Sequence, residues 1–117
     1  MKGDTNYGNA VVYSGGDDDN YNTFTNNVVT GGDYGFYLQG SNYEANTVVS
    51  NNSFSNFSDY GIYTEDQSGL TITDNTIMSD LTSGPYGIYV NVVYNGAVIT
   101  GNDISLDSSN GAGMDIE

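Results

Sequence analysis

The chain contains no cysteine, histidine, tryptophan or arginine, and its one basic side chain is Lys2. Without Cys, neither a disulfide framework nor a thiolate metal site can form; without His, the commonest general base and imidazole ligand is also missing. Much enzyme chemistry is closed by those absences alone. Against the single cation stand 15 carboxylates, a formal net charge of -14. A nucleic-acid binder neutralises phosphates with Lys and Arg, and an anionic lipid surface repels a chain of this sign, so neither is expected as a partner. No apolar run approaches the roughly 20 residues that span a bilayer. The opening Met1-Lys2-Gly3-Asp4 lacks the apolar core of a signal peptide.

What the chain has instead is 16 Gly, 11 Tyr and many Asn and Ser, a composition like that of extracellular or cell-surface proteins. Its 117 residues, 37% hydrophobic, suit one small domain or a segment of a longer one.

Internal repetition organises the sequence. Tyr34-Gly35-Phe36-Tyr37, Tyr60-Gly61-Ile62-Tyr63 and Tyr86-Gly87-Ile88-Tyr89 recur every 26 residues, and Ala112-Gly113-Met114 follows in phase. Between them lies a second block: Phe24-Thr25-Asn26-Asn27-Val28-Val29, Val49-Ser50-Asn51-Asn52-Ser53-Phe54, Ile72-Thr73-Asp74-Asn75-Thr76-Ile77 and Ile99-Thr100-Gly101-Asn102-Asp103-Ile104. Two anchors per repeat stay aligned while the segments between them change length, which is how a solenoid holds its strands in register and lets its loops vary. Apolar and polar residues alternate over short runs such as Leu70-Thr71-Ile72-Thr73, so the elements are strands, with turns supplied by Gly-, Asn-, Asp- and Ser-rich runs. Each coil holds two or three short strands and rests on the last at about 4.8 Å.

In these residues the chain resembles the right-handed parallel β-helix of the pectin-lyase-like superfamily, whose loose consensus has an Ile-Thr-x-Asn-x-Ile turn and a Gly-Ile-Tyr strand per coil. The resemblance runs from about Tyr7 to Ile116 and implies an all-β solenoid of about four coils. Residues 1–117 then form one domain, with an irregular first coil over about 7–33, regular coils from 34 and a partial last coil at 112–117. The superfamily includes lyases, hydrolases, adhesins and binding modules, so the resemblance specifies a fold and leaves function open.

Stacked coils turn each repeated position into a column. Phe36, Ile62, Ile88 and Met114, with Leu38, Val90 and Ile116 beside them, form one expected core column. Phe24, Val49, Ile72 and Ile99 form another; Val29, Phe54, Ile77 and Ile104 form a third. Asn27, Asn52, Asn75 and Asn102 form an expected asparagine ladder, a fold device rather than a ligand set. Gly35, Gly61, Gly87 and Gly113 mark either a special backbone conformation or a close approach. Tyr37, Tyr63 and Tyr89 are expected to project as an exposed stripe edged by Tyr34, Tyr60 and Tyr86, suited to sugar rings or a protein partner, or else stabilising the solenoid by stacking. Thr23, Val48, Thr71, Val98 and Thr25, Ser50, Thr73, Thr100 form an outward pair of columns. A flat Thr-x-Thr array would suit an ice-binding solenoid, although strand preference accounts for threonine equally well.

Asp17, Asp18 and Asp19, in a loop after Gly15-Gly16, are the candidate metal ligands, with Ca²⁺ the cation that oxygen donors favour and a merely solvated acidic loop the competing reading. No catalytic residue is assigned. Resemblance to the lyases would imply a cationic base and a basic groove for an anionic polymer, and neither is available. Asp33 and Asp59 stack in adjacent coils, with Glu65 and Asp66 beyond, as the related hydrolases would require, yet four coils span only about 20 Å, short for such a cleft. Strand pattern persists to Met114, Asp115 and Ile116, the expected assembly edge, and no amphipathic capping helix is found. The expectation is therefore an extracellular, non-catalytic subunit that self-assembles head to tail or serves in adhesion. The alternatives are a carbohydrate-binding β-helix segment and an ice-binding solenoid.

Overall fold

Period-2 alternation in every repeat produces strands and no helix. In the computed structural model, which describes residues 9–16 and 19–117, eleven strands follow one another: β1 (Val12–Gly15), β2 (Thr23–Thr25), β3 (Val28–Thr30), β4 (Tyr34–Ala45), β5 (Val48–Ser50), β6 (Ser53–Ser55), β7 (Tyr60–Thr73), β8 (Thr76–Ser79), β9 (Tyr86–Thr100), β10 (Asp103–Leu106) and β11 (Ala112–Ile116). Every pairing is parallel, as in the expected right-handed parallel β-helix of about four coils. One sheet joins β1, β4, β7, β9 and β11 in sequence and receives β2 and β5 alongside the second half of β7. The other is β3, β6, β8 and β10 in order.

The register is the one the repeats dictate. Tyr34 pairs with Tyr60 and Tyr60 with Tyr86; Phe36, Ile62, Ile88 and Met114 align. Phe24, Val49, Ile72 and Ile99 align on the second face, and Val29, Phe54, Ile77 and Ile104 on the third. The first coil, expected to be irregular, contributes β1, β2 and β3 in register.

Three strands are longer than expected. β4, β7 and β9 run 12, 14 and 15 residues because they continue around a corner, where β7 and β9 keep their register and β4 bulges against β7 between Gln39 and Glu44. The corner is a column of left-handed residues, Tyr43, Asp66 and Val92, at φ 64°, 52° and 52°. Asn26, Asn51, Asp74 and Gly101 form a second such column at φ 56° to 69°. Asn, Asp and Gly tolerate that conformation best, which explains the recurrence of these residues immediately before the ladder asparagine.

Phe36, Ile62, Ile72, Ile77, Ile88 and Phe54 are fully buried, each stabilising the fold by roughly 1.5–3 kcal/mol relative to exposure. Phe57 and Leu70, outside the repeated columns, fill the remaining interior. Met114 and Ile116 depart from the expected core: they are 43% and 55% exposed, because no coil among the described residues covers the last rung. The glycine column is explained by close approach. A Cβ on Gly61 would lie 2.7 Å from the Gly87 carbonyl oxygen and 2.8 Å from Ile77, and one on Gly87 would lie 2.6 Å from the Gly113 oxygen.

Candidate functional site

The side of the first sheet away from the core carries the tyrosines. Tyr13, Tyr37, Tyr63 and Tyr89 fall in one column, with Asp115 in the next position, and Tyr34, Tyr60 and Tyr86 in a second. Neighbouring rings stack along each column: 4.7 Å between centroids for Tyr37 and Tyr63, 5.3 Å for Tyr63 and Tyr89, 5.1 Å for Tyr34 and Tyr60, and 5.3 Å for Tyr60 and Tyr86. Edge-to-face contacts tie the columns together, Tyr34 to Tyr37 at 5.0 Å and Tyr60 to Tyr63 at 5.3 Å. The stripe expected to be exposed is therefore half-buried at all six positions. Interlocking covers most ring faces and leaves mainly edges and hydroxyls for solvent, so the stacking itself contributes stability.

Acidic groups frame this face. Burial first, then Glu65, pushes the Tyr63 phenol well above its ordinary 10.0, and burial likewise raises Tyr34 and Tyr60. Tyr89 is pushed up to about 12, chiefly by its hydrogen bond to Glu117. Glu65 accepts from Gln39 Nε2 at 3.1 Å, Tyr63 Oη at 3.2 Å and Asn91 Nδ2 at 3.2 Å, and Asp33 accepts from Ser58 Oγ at 2.8 Å. These carboxylates are occupied in holding coil to coil. A cleft of about 250 Å³ opens beside them, lined by Tyr34, Asp59, Tyr60, Gly84 and Tyr86.

On the opposite edge the asparagines form the ladder the sequence implies. Asn52 donates its backbone N–H and its Nδ2 to Asn75 Oδ1 at 2.9 and 3.0 Å, and Nδ2 also donates to the Phe24 carbonyl at 2.9 Å. Asn27 donates to Asn52 and Asn75 to Asn102 in the same manner. The amide of Asn52 thus has its donors and its acceptor engaged, which leaves it no capacity as a ligand.

The candidate calcium loop is represented by Asp19 alone, since Asp17 and Asp18 lie outside the described residues. Asp19 is exposed; its carboxylate accepts from Ser14 Oγ at 3.2 Å and its carbonyl from Asn22 Nδ2 at 2.6 Å. Among the described residues, no three His, Cys, Asp or Glu side chains gather as a metal would require. The outward threonine columns are in register, with only the rungs of Thr23 and Thr71 carrying both threonines.

At the last rung β11 pairs with β9 and with no other strand among the described residues. Glu117 donates its N–H to the Val90 carbonyl at 2.9 Å and accepts at its own carbonyl from Val92 at 3.2 Å. Hydrogen bonding alternates along a strand, so Ile116 turns its N–H to the open side. The expected edge residues Met114, Asp115 and Ile116 are thus brought together on one strand whose outer side meets no other strand among the described residues.

Two tyrosines that sequence reasoning passed over, Tyr43 and Tyr94, also meet, across the corner of the solenoid. The Tyr43 phenol is raised chiefly by its hydrogen bond to Tyr94. No repeat signals this pair, because the two sit in the variable segments between the anchors.

Compared with known families, residues 3–117 match the one described as NosD, periplasmic copper-binding protein. No curated protein and no solved structure matches the chain.

Proposed function

The chain belongs to the NosD family, and from that premise we propose that it is a non-catalytic β-solenoid subunit of the periplasm or cell exterior, one that assembles head to tail with further copies of itself. The family is described as copper-binding, yet this chain has no imidazole and no thiolate to offer that metal. Its thioethers do not converge either: Met78 and Met114 stand in different sheets, and Met1 lies outside the described residues. The residues present do not fit a copper centre, and no copper chemistry is assigned to them.

One observation supports the assembly reading: among the described residues, the last rung repeats the core pattern in register, Met114 and Ile116 are exposed, and the outer side of β11 meets no other strand. An open parallel edge with aligned apolar side chains is a template for another coil. Repulsion between subunits of charge -14 opposes contact, and salt or a divalent cation reduces it. Light scattering at rising protein concentration, with and without Ca²⁺ at matched ionic strength, tests this. Association should be concentration-dependent and blocked by Ile116→Pro, which removes an outward N–H and leaves the Glu117 bonds to β9 in place. A chain that stays monomeric under every condition defeats the proposal.

The cleft at Tyr34, Asp59, Tyr60 and Tyr86 favours a second reading, recognition of neutral carbohydrate through phenol edges and one carboxylate. Titration calorimetry against neutral oligosaccharides tests it, with Asp59→Asn expected to weaken binding.

A further inference from the structure

At the corner where β4 and β9 flank β7, Tyr43 and Tyr94 lie against each other although 51 residues apart in the chain. Ala45 registers with Ser68 and Ser68 with Tyr94, so the two rings come from coils two steps apart and meet over the intervening one. Their rings are in contact, with ring planes at 58°. The Tyr43 hydroxyl donates to the Tyr94 hydroxyl at 3.1 Å. Both rings are exposed, at 47% and 43%, whereas the six tyrosines of the repeated stripe are half-buried.

Two phenols in contact and open to solvent are the reactants of oxidative coupling. We infer that Tyr43 and Tyr94 are a modification site, joined as an intramolecular dityrosine by a peroxide-driven one-electron oxidant. Each phenol gives one electron to the oxidant and its hydroxyl proton to water, leaving two phenoxyl radicals. An ortho carbon of one ring bonds to an ortho carbon of the other; the hydrogens on those carbons leave as protons and both oxygens are reprotonated, restoring two phenols. The net loss is two electrons and two protons, which convert one hydrogen peroxide into two waters. With the rings already in contact, coupling inside the folded chain outruns coupling between chains. The bond closes a long loop in a protein that has no cysteine, and it restricts the unfolded chain as a disulfide would.

The test treats the full chain, at low concentration, with a haem peroxidase and equimolar hydrogen peroxide. The expected product is a monomer lighter by two hydrogen atoms, with dityrosine fluorescence, a raised melting temperature, and a cross-linked peptide pair joining residues 43 and 94 after cleavage at acidic residues. Tyr43→Phe and Tyr94→Phe, each shown by circular dichroism to remain folded, should abolish that peptide pair, while Tyr21→Phe, at the 74% exposed Tyr21, should leave it. The peptide map of the unsubstituted chain decides independently of the variants. Links between other tyrosines, links only between chains, or no link at all overturns the inference.

Discussion

Ile88 and Met114 are neighbours in one column of one sheet, and so are Val90 and Ile116; the first of each pair is fully buried and the second is half open to water. The glycines of the two rungs differ likewise. A Cβ on Gly87 would strike the next coil's backbone, whereas one on Gly113 would meet nothing nearer than Ile104 at 4.0 Å. Asn75 is buried with donors and acceptors engaged, while Asn27, at the start of the ladder, is half exposed. Interior and terminal rungs obey one sequence rule, so what separates them is the presence of a coil on the second side. In a solenoid, stability belongs to the interface between repeats as much as to the repeat.

The largest contrast should appear on placing a charge in each rung. Ile88→Asp puts an unpaired carboxylate in a sealed core and should cost on the order of 5 kcal/mol, enough to unfold the chain. Met114→Asp should shift the monomer's stability by no more than about 0.5 kcal/mol. Urea titration followed by circular dichroism compares them, and equal losses would mean that the last rung is covered after all.

The ladder offers a smaller contrast. Asn75→Ala strips the acceptor from the Asn52 N–H and from its Nδ2 and should cost about 3 kcal/mol. Asn27→Ala leaves Asn52 Oδ1 still bonded to the backbone N–H of residue 27 and should cost about 1 kcal/mol. Denaturant midpoints read the difference. Next in size, Gly61→Ala should cost about 2 kcal/mol by overpacking against Gly87 and Ile77, whereas Gly113→Ala should leave the melting temperature unchanged. A Gly113→Ala chain as unstable as Gly61→Ala would show that a coil packs there.

The mildest effect is that of pH. Tyr34, Tyr60, Tyr63 and Tyr89 all titrate above 10.0 in the folded chain, Tyr89 at about 12. The unfolded chain therefore releases those protons first, and the stabilisation is whole below pH 10.0 and lost as pH rises towards 12. Melting temperature should be flat up to the lower value and fall beyond it; Tyr63→Phe should lessen the slope. A melting curve insensitive to pH across that window would mean that the columns loosen in solution.

The fold was legible because repeats write it several times. Tyr-Gly-Ile-Tyr and Ile-Thr-x-Asn recur with the pairing register of the sheets, and the asparagines fall where the ladder forms. Legibility ended where repetition ended. Phe57 and Leu70 fill the interior without belonging to a repeated column, and Glu44 and Gln67 are buried polar residues with no repeated counterpart. The contact of Tyr43 with Tyr94 depends on how far two unequal segments carry their side chains around a corner. Even the tyrosine columns were only half readable: their alignment follows from spacing, but their interlocking depends on a second column standing one ring away.

The sequence by itself therefore determined the element type, the parallel register, the ladder and the three core columns, because each is a local pattern that stacking multiplies. Only the tertiary structure decided which of those equivalent positions are sealed, as at Ile88, or open, as at Met114, and which phenols meet across coils. Burial and contact depend on what lies on both sides of a residue, and a repeat reports only its own side.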